Sequence, residues 1–220
     1  RILSQDNPDV PLLPVSTEAT TAIPTYITGT EAGALYQFVT PDNSLKCISP
    51  VTFRRVSKAV LEQIKGVSSL IKYFVMGYEN PNLERISVLD TPGFSSNDSE
   101  DSARTIEVIN ECDALFWVFD VNNGAINRSS LALIKNNLKR PLYIVINKVD
   151  TKPVEKEIDQ VEETIRETFA TEGIRIEEVL RFSRTSPLEE ILNPILSIKR
   201  DVQQIARSEE RFSRNAETDI

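Results

Sequence analysis

Four consecutive residues, Asn147-Lys148-Val149-Asp150, directly follow the apolar run Tyr143-Ile144-Val145-Ile146. A carboxylate at that point can accept two parallel hydrogen bonds, one from the ring N–H and one from the exocyclic amine of guanine. Adenine offers no such pair, so Asp150 is the candidate for base choice. Lys148 would lay its methylene stem along the base plane, and Asn147 would tie the loop to its neighbours. Taken alone, the same residues also make a solvated polar turn between a strand and a helix, so a second motif has to support the chemistry.

Asp90-Thr91-Pro92-Gly93 supplies one, closing another apolar run, Ile86-Ser87-Val88-Leu89. An aspartate there can hold a water of a Mg²⁺ shell. A glycine three residues later lets a backbone N–H approach a terminal phosphate with no side chain in the way. Asp-Thr-Pro-Gly is equally a good turn sequence. Two further segments are weaker by themselves. Thr20-Thr21-Ala22-Ile23-Pro24 leads from a Ser/Thr-rich loop into a strand, the position where a mobile loop would offer a hydroxyl to Mg²⁺. Phe182-Ser183-Arg184-Thr185 ends the last strand and could present N–H groups to the guanine oxygen, or simply enter a helix before Pro187. The order of the four segments along the chain makes them persuasive together.

The elements that must position these residues follow from apolar periodicity. Strands are expected at Ile23–Thr28, Leu35–Val39 and Lys46–Ser49, the last two as a hairpin around Pro41-Asp42-Asn43, then a helix from Phe53 to Lys65. Strands Ile71–Tyr78 and Arg85–Leu89 flank the turn-rich Glu79-Asn80-Pro81-Asn82 and are expected to pair antiparallel. Cleaner alternation follows: helix 101–110, strand Ala114–Val121, helix Ser129–Leu138, strand Leu142–Ile146, helix Val154–Ala170 and strand Glu178–Phe182. This is the pattern of an α/β domain with a mostly parallel central sheet, whose ligands bind at the C-terminal ends of the strands. Leu188 to about Arg211 reads as a terminal helix interrupted at Pro194.

Composition excludes several other functions. The chain has 220 residues, 40% of them hydrophobic and 26% charged, enough for one substantial core. A net charge of -8 argues against a broad nucleic-acid-binding face, and no nucleic-acid partner is expected. There is no histidine, which removes Ser/His/Asp and Cys/His catalysis and the commonest zinc ligand. Cys47 and Cys112 lack metal-ligand spacing and read as reduced thiols of a cytoplasmic protein. No stretch approaches the roughly 20 apolar residues of a membrane span. The acidic run Asn97-Asp98-Ser99-Glu100-Asp101 lacks the glycine and distal Glu of a calcium loop and reads as a capped helix start. The chain begins at Arg1 rather than Met, and its start reads as a cut or processing site.

The series Leu13-Pro14, Thr21-Ala22-Ile23-Pro24, Asp90-Thr91-Pro92-Gly93-Phe94, Asn147-Lys148-Val149-Asp150 and Ser183-Arg184 resembles the dynamin superfamily of large GTPases, especially its bacterial dynamin-like branch. The resemblance covers roughly Pro11 to Pro187 and implies a three-layer domain of the P-loop NTPase type over residues 1–187. Residues 188–220 would form a C-terminal helix, the possible start of a helical neck. It implies GTP hydrolysis to GDP and phosphate with Mg²⁺, in which Thr21 would be the switch threonine on the metal, Asp90 would reach the metal through water, and Gly93 would sense the terminal phosphate. Asn147, Lys148, Asp150, Ser183 and Arg184 would surround the base. It also implies self-association through the nucleotide face, membrane remodelling, and peripheral membrane contact through regions outside these residues. Phe94 stands where Ras-like enzymes carry a catalytic Gln, so no general base is named; phosphoryl transfer depends more on positioning and charge neutralisation.

One departure matters for activity. The sequence contains no Gly-x-x-x-x-Gly-Lys-Ser/Thr, and the pair Gly29 and Gly33 has no Lys after it. In the family that phosphate-binding loop and its strand lie just upstream of the first motif here, so these residues alone are expected to fold poorly and to hydrolyse little or no GTP. A pseudo-GTPase scaffold, and a GTPase of ribosome or RNA metabolism outside the dynamin family, remain as the other readings.

Overall fold

A computed structural model describes residues 23–31, 33, 35–55, 70–80, 83, 87–91, 112–123 and 126–183. The chain divides into two compact units, Arg1–Ile109 and Asn110–Ile220. The expected helices at 101–110 and 188–211, and most of the one at 53–65, lie outside the described residues.

In the first unit, β1 (Thr25–Gly29), β2 (Leu35–Val39), β3 (Leu45–Cys47), β4 (Tyr73–Tyr78) and β5 (Val88–Asp90) form a sheet in the order β3-β2-β4-β1-β5. The β2–β3 hairpin forms as its turn residues predict. Asn43 takes the left-handed conformation at φ 62°, and the Asp42 carboxylate accepts from the Thr40 hydroxyl, from Ser44 Oγ at 2.8 Å and from the Ser44 N–H at 3.3 Å. These donors lower the Asp42 pKa to about 2, the Thr40 hydroxyl contributing most.

The antiparallel pairing expected between the strands around residues 71–78 and 85–89 does not form. β1 lies between them, parallel to β4 through Ile27 opposite Met76 and antiparallel to β5 through Thr25 opposite Asp90. Burial explains the difference. The stretch Ile23, Thr25, Ile27 is 1 to 4% exposed, so it takes an interior place in the sheet and displaces the pairing that sequence adjacency favours. This unit's sheet is therefore mixed, since β2 also runs antiparallel to both β3 and β4.

Helix α1 (Pro50–Arg55) starts three residues before the expected Phe53. Ser49 caps it by accepting the Thr52 N–H at 3.1 Å, and Pro50 stands at the first helical position, where its missing N–H costs nothing. The helix delivers Phe53 to a core of Ile23, Ile27, Ile71, Phe74, Met76 and Leu83, edge-on to Phe74 at 5.3 Å.

The second unit is a parallel β-α-β-α-β arrangement. Strands β6 (Leu115–Asp120), β7 (Leu142–Asn147) and β8 (Glu178–Arg181) lie side by side in that order, joined through α2 (Arg128–Asn137) and α3 (Glu155–Thr171). The elements agree with the sequence pattern within a residue or two. β7 is the apolar centre, with Leu142, Ile144 and Ile146 at 1% exposed or less. Helix α3 carries Ile158, Ile165 and Phe169 as a buried stripe, and Glu155 and Glu157 in its first turn suit the positive end of the helix dipole. It ends in a left-handed Gly173 at φ 70°, with Gly173 N–H on the Ala170 carbonyl at 3.0 Å and Ile174 N–H on that of Phe169 at 2.9 Å. Phe169 packs edge-on against Trp117 and Phe119, fixing α3 to that face of the sheet. On the opposite face Phe116 stacks on Tyr143 at 5.2 Å.

Candidate functional site

Parallel pairing puts Asp120 opposite Asn147 and Arg181 opposite Ile146, so all three strands of the second unit end at the same edge. At that edge the chain leaves β7 through Lys148, which adopts φ 63° and ψ 32°, and enters a 3-10 turn at Val149–Thr151. A left-handed lysine is uncommon because its Cβ crowds the following carbonyl, so it persists only where its surroundings fix it. Here they do so from both sides of the residue. The Asn147 side chain accepts the Lys148 N–H at 2.8 Å, and the Thr151 hydroxyl donates to the Lys148 carbonyl at 2.7 Å. The turn is thereby tied together by its own side chains.

The Lys148 ammonium donates to Asp120 Oδ2 at 2.6 Å. The other oxygen of that carboxylate accepts the Asn122 N–H at 3.0 Å and the Asn122 side-chain amide at 3.1 Å, and the same amide also donates to Thr151 Oγ1 at 2.9 Å. The bond from Lys148, followed by that from the Asn122 N–H, holds the Asp120 carboxyl below the usual carboxylate range. Asp120, Asn122 and Thr151 were not singled out by sequence. Asp120 ends an apolar strand just as Asp90 does, and that shared position was the available signal.

The Ser183 segment meets this turn through the backbone. Val149 N–H donates to the Phe182 carbonyl at 3.2 Å, and Phe182 N–H donates to Ile146 at 2.8 Å. Ser183 itself is buried, 2% exposed. Just before it, Arg181 reaches back to α3, pairing with Asp159 at 2.7 Å and Glu162 at 2.9 Å, and these carboxylates, Asp159 first, raise its pKa. Asp150, in the middle of the 3-10 turn, is exposed, and among the described residues nothing hydrogen-bonds or pairs with its carboxylate.

The structure thus brings Asn147, Lys148, Asp150 and Ser183 to one edge of the second unit. Asp90 closes β5 in the first unit as a half-buried carboxylate, the oxygen donor type that Mg²⁺ takes through water. Thr21, Gly93 and Arg184 lie outside the described residues. No cluster of three or more His, Cys, Asp or Glu side chains suited to a metal is found among the described residues, and neither Cys47 nor Cys112 forms a disulfide. Nor is any helix of the described residues long and apolar enough to cross a membrane.

A parallel β-α-β-α-β unit with Asn-Lys-x-Asp at the end of its central strand defines a GTPase-type domain of the P-loop class. The dynamin family profile matches residues 9–149, more than half of the sequence, and the chain belongs to the dynamin family. No curated protein sequence matches it. Among solved structures it is similar to an oligomerised bacterial dynamin pair, described as providing a mechanism for the long-range sensing and tethering of membranes. That likeness has a TM-score of 0.64 at 16% identity over 89% of this chain and 41% of the other. The chain therefore spans about two-fifths of that bacterial dynamin. Era from Aquifex aeolicus bound to GDP and aluminium fluoride aligns over 84% of this chain and 48% of its own, at 16% identity and a TM-score of 0.44, too low to carry an argument.

Proposed function

We propose that these residues are the guanine-recognition part of a dynamin-like GTPase that hydrolyses GTP to GDP and phosphate. The observation that carries the reading is the Lys148 turn. A strained left-handed lysine is held by three side chains, Asn147, Thr151 and Asp120, while the neighbouring Asp150 carboxylate stays exposed and unpaired among the described residues. A turn built only to connect a strand to a helix has no need of a strained residue or of a free carboxylate beside it. In this reading Asp150 selects the base, Lys148 covers its plane, and the backbone near Ser183 and Arg184 faces the guanine oxygen. Thr21 and Asp90 serve Mg²⁺, the latter through water, and Gly93 contacts the terminal phosphate; these roles rest on the family motifs. The bound metal would neutralise charge on the transferring phosphoryl group.

Residues 1–187 are read as a single GTPase domain and 188–220 as a helix beyond it. Tight phosphate binding requires a Gly-rich loop that this sequence does not contain, so the 220 residues alone are proposed to have little activity and the parent protein to have it in full. The bacterial dynamin is described as an oligomerised pair that tethers membranes. By analogy, self-association through the nucleotide face and peripheral membrane contact are proposed for the parent, with a cytoplasmic location. Direct binding tests the reading. A protein extended upstream to include a phosphate-binding loop should bind GTP and GDP with Mg²⁺ and discriminate against ATP by more than about 100-fold. Equal binding of ATP and GTP would overturn it.

A further inference from the structure

The Asp120 carboxylate is occupied on both oxygens by groups of different kinds. Oδ1 is closed by Asn122, whose backbone N–H lies two residues on, the geometry of an Asx turn, and whose side-chain amide bridges on to Thr151. Oδ2 is left for one partner, the Lys148 ammonium at 2.6 Å. An ordinary surface ion pair joins two freely rotating side chains and contributes little. This one differs, because the Asn122 turn fixes the carboxylate and the left-handed backbone fixes the lysine. The Lys148 side chain is 57% exposed against 24% for Asp120, so its stem runs across open surface to reach a fixed anchor. Thr151 closes a ring by bonding both Asn122 and the Lys148 carbonyl.

We propose that Asp120 is a positioning residue for nucleotide binding: through Lys148 and the Asn122–Thr151 bridge it holds the Asn147–Asp150 turn in its base-binding form before nucleotide arrives. The proposal rests on the guanine-recognition reading above. Asp120 does not touch the base. It lies at the end of β6, in register with Asn147, and acts by removing rotational freedom that Lys148 would otherwise lose on binding.

The test has two arms, both in the full-length protein. Without nucleotide, amide exchange is compared between the parent and Asp120→Ala. The Thr151 N–H, bonded to the Lys148 carbonyl, and the Lys152 N–H, bonded to that of Val149, should exchange about ten-fold faster, while the β6–β7 ladder amides keep their protection. With nucleotide, GDP affinity is measured for Asp120→Ala, Lys148→Met and the double variant. Each single change should weaken GDP about ten-fold, and the double variant should bind no more weakly than Lys148→Met alone. Ladder protection and an unchanged Trp117 unfolding midpoint show that Asp120→Ala remains folded; if it does not, Asp120→Asn is carried through the same two arms.

Unchanged exchange at Thr151 and Lys152 would overturn the proposal. So would faster exchange with unchanged GDP affinity, or a double variant that loses the product of the two single effects. A parent protein that binds ADP as well as GDP would instead overturn the guanine reading, while the exchange arm still decides whether Asp120 braces the turn.

Discussion

Replacing Phe169 with alanine should destabilise the second unit more than any surface change near the site. The Phe169 ring is 0% exposed and lies edge-on to Trp117 at 5.6 Å and to Phe119 at 6.4 Å. Truncation removes both contacts and leaves a space that Ile165, itself 1% exposed, can fill only by moving α3. Phenylalanine to alanine in a closed core costs about 3 to 5 kcal/mol. Each lost aromatic pair accounts for about 0.5 to 1.5 kcal/mol of that. Trp117 is the sole tryptophan, so its emission reports the affected core directly. With a urea dependence of about 2 kcal/mol per M, the midpoint of the Trp117 transition should fall by about 2 M, and far-UV circular dichroism should follow it. A midpoint within about 0.3 M of the parent would refute the argument that Phe169 seals α3 to the sheet.

Ile27→Ala, in the interior strand of the first unit at 1% exposed, should cost about 2 to 5 kcal/mol by urea denaturation. Arg181→Ala breaks the pairs to Asp159 and Glu162. The side chain is 35% exposed and screened by solvent, so the cost should be about 1 kcal/mol or less and should shrink in high salt. Asp42 has a folded-state pKa of about 2 against an ordinary 3.8, so its contribution to stability is complete above the ordinary value and disappears as pH falls through about 2. Asp42→Asn should flatten the stability profile across that window, measured by urea denaturation at a series of acid pH values.

The second unit was legible because its signals are local. Apolar runs of strand length and helices with a 3.6-residue period each fix their own element, and Asn147 to Asp150 are contiguous, so the turn could be read whole. Asp120 could not be read in the same way. Its partner Lys148 is 28 residues away, and only the parallel register of β6 and β7 brings them together. The first unit shows the same limit: periodicity located the strands near 71–78 and 85–89, but their pairing depended on β1, from far earlier in the chain, taking the interior place. The start of α1 was readable in principle, since Ser49 and Pro50 form a cap and first-turn pair.

The most direct test of guanine recognition at the Lys148 turn is the base preference of Asp150→Asn, made in the protein that includes the upstream phosphate-binding segment. The carboxylate accepts from two guanine N–H groups, whereas an amide at the same place donates to the xanthine carbonyl. The variant should lose GTP affinity by more than about 100-fold and gain XTP affinity by a comparable factor. Unchanged preference for GTP over XTP would contradict the role given to Asp150 and, with it, the account of the turn as a guanine site.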